Sequence, residues 1–184
     1  MAYDFSSFKN EVLQVYAWLE REYQGINTGR ATPGLLDSVM IDVYGSRMQV
    51  AHVASIVVED ARTLKITPWD KSQIKDIERG LLASHLGITP NVDDTGIRLF
   101  FPQLTEERRK EYVKLIKEKL EDARISIRTE REKIIKDVDG KKKESDMSED
   151  EAFKAKEDLQ KLVEEANAKL EGIFEKKEKE VMGN

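Results

Sequence analysis

Bond-making chemistry has few candidates in this chain. His52 and His85 are the only histidines, and neither adjoins residues that would make it a general base. His52 reads as a strand residue and His85 as a helix-end residue. No serine lies in a Gly-x-Ser-x-Gly elbow, and no glycine-rich loop is available to cradle phosphates. The lack of cysteine excludes disulfides, thiolate zinc sites and thiol nucleophiles. Asp93-Asp94 is a turn pair without the remaining ligand spacing of a calcium loop. The expectation is a protein that is not an enzyme, with no catalytic residue, metal or cofactor, and unable to hydrolyse GTP alone.

A row of cations is more informative. Lys110, Lys117, Arg124 and Arg131 recur every seven residues, and Arg128 lies one helical turn from its neighbours. At 100° per residue all of them fall within about 60° of one another on a helix. Members seven residues apart are separated by roughly 10.5 Å, a spacing that suits an extended phosphate backbone. Arginine adds bidentate phosphate contacts and stacking on unpaired bases. The same positions also suit a bundle edge, where basic stems cover the core and pair with acids. Glu121 borders the row and is placed to neutralise part of it.

The elements that must hold this row are legible from hydrophobic rhythm. Phe5, Phe8, Val12, Val15, Leu19 and Ile26 recur at steps of three and four, predicting a helix from about Asp4 to about Thr28. Gly25 is a mild weakness inside it, and Thr28 to Gly34, with two glycines and a proline, ends it. Val113, Ile116, Leu120, Ala123, Ile127, Ile134 and Val138 define a second helix of roughly 50 Å, with Glu130 in the skipped slot. Thr105-Glu106-Glu107 caps its start, and Gly140 is expected to end it in a left-handed conformation. Ser148 and Glu151 form a capping box for a third helix, whose stripe is Ala152, Ala155, Leu159, Leu162, Ala166, Leu170 and Ile173.

Between these helices the rhythm is that of strands. Val39, Ile41 and Val43 alternate with polar neighbours before a turn at Gly45-Ser46, and Ile56–Val58 and Leu64–Ile66 follow. A helix of about four turns begins near Lys71, capped by Asp70, carrying Ile74, Ile77, Leu81 and Leu82, and followed by Gly87. A turn from Asn91 to Gly96 leads to a last strand, Ile97–Phe101, and Pro102 marks the exit. Trp69, Phe100 and Phe101 are expected mainly in the core, with a protein-binding patch as the other reading. The fold class is α+β: an elongated antiparallel three-helix bundle from residues 1–30 and 105–184, with a small β/α/β domain, 31–104, inserted in it.

Composition agrees with long solvated helices. Of 184 residues, 39% are hydrophobic and 36% charged, with both signs mixed along periodic segments. Net charge is −5, which alone argues weakly against nucleic acid, yet segment 105–140 is net positive. The polar start and the lack of a long apolar run point to a soluble cytoplasmic protein, with no membrane partner.

Several blocks are similar to one family. They are Thr28-Gly29-Arg30-Ala31-Thr32-Pro33 with Leu35-Leu36-Asp37, Val58 through Ile66, Ser84 through Asn91, Leu104 through Lys110, and Ala123 through Arg128. Together, in order and spacing, they resemble the bacterial ribosome recycling factor family over essentially the whole chain. The resemblance implies an L-shaped molecule, similar in outline to transfer RNA, whose bundle lies against large-subunit ribosomal RNA. It implies action after termination, with elongation factor G and its GTP hydrolysis separating the ribosomal subunits. On that analogy Arg128 and Arg131 match two arginines of the family's long-helix motif; together with Lys110, Lys117 and Arg124 of the row, and Arg30, they are the expected RNA-binding residues. Arg30, Ala31 and Thr32 with Pro102, Gln103, Leu104 and Thr105 form two hinge crossings about which the insert swings. Arg30 equally reads as a solvated cation favourable to a helix end.

The chain departs from the family pattern in one place. Glu132 stands where a third arginine is usual, Thr129 where asparagine is usual, and Glu130 where an apolar residue is usual. A coiled-coil chaperone or scaffold remains the rival reading of the seam. Such a protein should oligomerise through its helices, whereas a recycling factor should be a monomer that cosediments with ribosomes.

Overall fold

The computed structural model describes residues 3–43, 45–84, 86 and 88–183. The chain forms two compact units. One comprises Met1–Tyr23 and Val113–Glu180, the other Gln24–Tyr112 and Val181–Gly183. The expected roles of His85 and Gly87 lie outside the described residues.

Most of three helices makes the first unit: α1 (Ser6–Gln24), α3 (Glu106–Lys143) and α4 (Glu149–Met182), while α2 and the first turns of α3 up to Tyr112 belong to the other unit. Tyr3 donates to Asp137, and the Tyr23 hydroxyl donates to the Ile116 carbonyl at 2.7 Å, so α1 runs antiparallel to α3. Ion pairs Lys156–Asp139 and Arg124–Glu171 set α4 antiparallel to α3. The seam buries Phe8, Val12 and Leu19 from α1, Ile116, Leu120, Ala123 and Ile127 from α3, and Leu159, Ala166 and Leu170 from α4. Tyr23 occupies the missed beat of the first stripe. Burial pushes its hydroxyl above the usual tyrosine range.

Helix ends follow local chemistry. Asp4 accepts from the Ser6 N–H at 2.9 Å at the start of α1. This helix stops at Gln24, not Thr28; Gly25 lies just beyond it, and Asn27 accepts from the Gly29 N–H to form a turn. The α3 helix passes through Gly140 to Lys143, which corrects the expected stop. One internal glycine costs about 1 kcal/mol, and buried Val138 packs against Ala152 and Ala155 beside it. The left-handed residue is Ser145, φ 64°, where the Ser145 and Asp146 N–H groups donate to Lys142 and Lys141 carbonyls. Ser148 and Glu151 make the anticipated capping box, at 2.9 and 3.2 Å. On α4, Val163 and Phe174 are buried while Leu162 and Ile173 are only half-buried, because a 3.6-residue period drifts across a long seam.

The second unit holds two sheets and one helix. Strands β1 (Met40–Val43) and β2 (Ser46–Gln49) pair antiparallel. Strands β3 (Ala54–Asp60), β4 (Thr63–Pro68), β5 (Pro90–Asp93) and β6 (Gly96–Phe100) form an antiparallel sheet ordered β3-β4-β6-β5. The short polar strands β2 and β5 escaped the sequence pattern. β2 has no apolar alternation, and β5 reads as a turn because it begins with proline. Helix α2 (Ile74–Ala83) follows a 3-10 turn capped by Asp70, which accepts from the Ser72 N–H at 2.8 Å. It packs on β1 so closely that a Cβ at Gly80 would meet Ile41. Its Leu82 is exposed. His52 lies exposed in a 3-10 turn, not a strand. Leu35, Leu64, Ile66, Ile77, Ile97 and Phe101 fill the core, whereas Trp69 and Phe100 are 71% and 55% exposed. Phe100 points to the outer sheet face, opposite Thr63, with the Arg62 guanidinium over its ring.

Two stability tests follow. Ser148→Ala should lower unfolding free energy by about 1 kcal/mol in urea denaturation, through loss of the α4 cap. Thr95, through its hydroxyl and N–H, together with Arg98, holds the Asp93 carboxyl at about 2, below its ordinary 3.8. A depressed pKa contributes stability that is complete above about pH 4 and lost as pH falls towards 2. Asp93→Asn should therefore flatten the acid side of the melting-temperature profile across that window.

Candidate nucleic-acid interface

Burial of the α3 seam decides where the cation row points. Ile116, Leu120, Ala123 and Ile127 turn inward, so Lys117, Arg124, Arg128 and Arg131 emerge along the edge of α3 next to α4. Lys110 and Lys117 are exposed, Arg124 and Arg131 are half-buried, and Arg128 has 61% of its side chain in solvent. None of the row is turned into the core.

Its members differ in how far they are neutralised. Arg124 is gripped by Glu171 of α4 at 2.5 Å and approached by Glu121 at 4.0 Å. Among the described residues Arg128 meets the same Glu121 alone, at 3.9 Å. The Lys117 ammonium sits 5.9 Å from the centre of the Phe174 ring, an orienting contact that leaves its charge available. Among the described residues no carboxylate lies within 4 Å of Lys110, Lys117 or Arg131. The expected borderline role of Glu121 is thus met, while Glu171 was missed. Finding Glu171 requires the α3–α4 register, which no local pattern supplies.

The substituted positions of the long-helix motif have separate environments. Glu130 is half-buried, pairs with Lys133 at 2.6 Å, and lines a groove of about 450 Å³ between α1 and α3 with Trp18 and Ile125. Glu132 stands exposed, and the Thr129 hydroxyl donates to the Ile125 carbonyl one turn back. Glu132 therefore faces solvent on the side of α3 away from the seam.

The remaining predicted residues lie in the Gln24–Tyr112 unit. Arg30 is exposed and six residues past the end of α1, so it does not cap that helix. The Ala31 N–H donates to the Ala61 carbonyl at 3.0 Å, and Thr32 precedes a 3-10 turn. Pro102 and Gln103 are exposed and Leu104 half-buried, while Thr105 accepts from the Arg108 N–H at 3.3 Å to start α3. Among the described residues no cluster of histidine and carboxylate side chains is arranged to hold a metal, and no helix is long and apolar enough to cross a membrane.

The sequence and the architecture of three long helices with an antiparallel sheet unit match one family along the chain. The family model described as ribosome recycling factor matches residues 19–182. The chain belongs to the ribosome recycling factor family. It is 43% identical over 163 residues to the ribosome-recycling factor of Bifidobacterium longum subsp. infantis, covering 89% of both chains. With the Bacillus subtilis ribosome-recycling factor the identity is 41% over 174 residues, covering 95% of this chain and 94% of that one. A solution structure of a ribosome recycling factor superposes with a TM-score of 0.77 at 29% identity, covering 98% and 96% of the two chains. A second neighbour is the Thermus thermophilus factor, named with Escherichia coli elongation factor G on the E. coli post-termination complex. It matches with a TM-score of 0.66, 32% identity and 96% coverage of each chain. The family comprises non-enzymatic translation factors, and the α+β architecture here is theirs.

The unequal pairing of the row has a measurable consequence in the isolated protein. Arg124→Gln should lower stability by about 0.5–1 kcal/mol, the scale of a half-exposed ion pair. Arg131→Gln, with no carboxylate to lose, should leave the urea midpoint unchanged.

Proposed function

We propose that the protein acts in ribosome recycling, binding the post-termination ribosome through the α3 edge and, with elongation factor G, promoting separation of the subunits. Lys110, Lys117, Arg128 and Arg131 supply most of the unneutralised charge for large-subunit ribosomal RNA, and Arg124 lies among them. The observation that carries this reading is the exposed row itself, held in one phase by the buried seam. Its likeness to the T. thermophilus factor, named with elongation factor G on a post-termination complex, supports both partners.

The physics asks little of the chain beyond holding. Helices α3 and α4, of 38 and 34 residues, run without a break, so the cations sit on a stiff support. Binding to a polyanion releases condensed counterions, which makes affinity fall steeply with salt. The work of separating subunits then comes from the partner's GTP hydrolysis, consistent with a chain that carries no nucleotide loop. We also propose a cytoplasmic site of action, where ribosomes complete termination.

Arg131→Glu should weaken binding to isolated large subunits by about tenfold, equivalent to about 1.4 kcal/mol for a lost charge-assisted contact. Subunit splitting in the presence of elongation factor G and GTP should slow in step. Unchanged affinity, with the variant shown to be folded, would remove Arg131 from the interface.

A further inference from the structure

The centre of the cation row carries its own counter-ion, and this has a consequence for release. Arg124 is the only member of the row paired with a carboxylate from a second helix, among the described residues: Glu171 of α4 contacts its guanidinium at 2.5 Å. Arg124 and Glu171 side chains are 36% and 42% exposed, so solvent, and any approaching phosphate, can reach the pair. Glu121 adds a second carboxylate, shared between Arg124 at 4.0 Å and Arg128 at 3.9 Å. Among the described residues the flanking cations, Lys117 and Arg131, have no carboxylate partner.

We propose that Glu171 is an internal competitor for phosphate at Arg124, weakening the middle of the RNA contact so that the factor leaves the large subunit readily. This rests on the reading of the α3 edge as the RNA-binding face. A carboxylate and a phosphate both present acceptor oxygens to a guanidinium, so they compete for the Arg124 N–H group that Glu171 holds. RNA approaching Arg124 must either displace Glu171 or lie against its negative charge. In both cases the net gain from Arg124 is smaller than from the unpaired cations on either side. Because affinity differences among variants of one interface appear mainly in dissociation, the competitor acts chiefly as a release device. Glu121 works the same way but at longer range, and its effect is correspondingly smaller.

The experiment is a double-mutant cycle on the full chain, measuring association and dissociation with isolated large subunits. Glu171→Gln keeps the size of the side chain while removing its charge. It should raise affinity by about fivefold, the upper range for an exposed pair, mostly through slower dissociation. In an Arg124→Gln background, Glu171→Gln should change affinity by less than about twofold, because the competed group is gone. Glu165→Gln removes a charge on the groove between α1 and α4 and should leave affinity close to that of the parent chain. Melting temperatures of all variants confirm that each is folded.

Lower or unchanged affinity in Glu171→Gln, while Arg131→Glu still weakens binding, would overturn the competitor role and leave the RNA face standing. An equal gain from Glu165→Gln, or an undiminished gain in the Arg124→Gln background, would also overturn it by showing only a long-range charge effect. If neither Arg131→Glu nor any other variant alters binding, both the competitor and the face it acts on are wrong.

Discussion

Rotation of α3 about its own axis is fixed by its buried side chains, and the position of every cation in the row follows from that rotation. Ile116, Leu120, Ala123, Ile127 and Val138 are each almost wholly removed from water. Turning the helix by one residue would swing these groups by 100° and expose them. Each large aliphatic side chain so exposed forfeits about 1.5–3 kcal/mol, so the seam holds its phase against any plausible pull from a ligand. The Tyr23 hydroxyl on the Ile116 carbonyl and the Arg124–Glu171 pair add directional fixing from α1 and α4 respectively. Core packing thus decides which way Lys117, Arg128 and Arg131 face.

A chain of net charge −5 can bind a polyanion only if its positive charge is gathered. The gathering here is achieved by spacing. Acids on α3 such as Glu118 and Asp122 are exposed at angles removed from the row, Glu132 borders it, and Glu121 and Glu171 lie directly against it. The resulting face is graded: free charge at its flanks, compensated charge in its middle. At physiological salt the Debye length of about 8 Å is shorter than the roughly 10.5 Å between members seven residues apart, but longer than the step from Arg124 to Arg128. Lys117 and Arg131, seven residues to either side of Arg124, are therefore largely screened from the Glu171 pair, whereas Arg128 shares its surroundings through Glu121.

Much of this arrangement was legible in sequence, and the failures share physical causes. Helical stripes in the bundle were readable because burial on one face imposes a period of three to four residues. Tyr23 was passed over because a tyrosine in an apolar slot needs a polar partner, here the Ile116 carbonyl, that only the folded register provides. Gly140 was read as a stop, yet packing at Val138 and cross-turn ion pairs such as Lys142–Glu149 carry α3 past it. Strands β2 and β5 lack apolar alternation and exist through pairing with β1 and β6. The cation row was visible as a seven-residue repeat, and so was Glu121 within its helix. Glu171 was not, since it joins Arg124 from 47 residues away.

The central claim, that the α4-side edge of α3 meets ribosomal RNA, is tested most directly by tethered radical probing. The chain contains no cysteine, so single substitutions give unique attachment points for an iron chelate. Lys114→Cys and Glu132→Cys border the row on exposed α3, and Leu13→Cys stands exposed on α1. On isolated large subunits the two α3 probes should cut ribosomal RNA strongly, at separate sites, and the α1 probe only weakly. Strong cutting from Leu13→Cys with little from either α3 position would contradict the account.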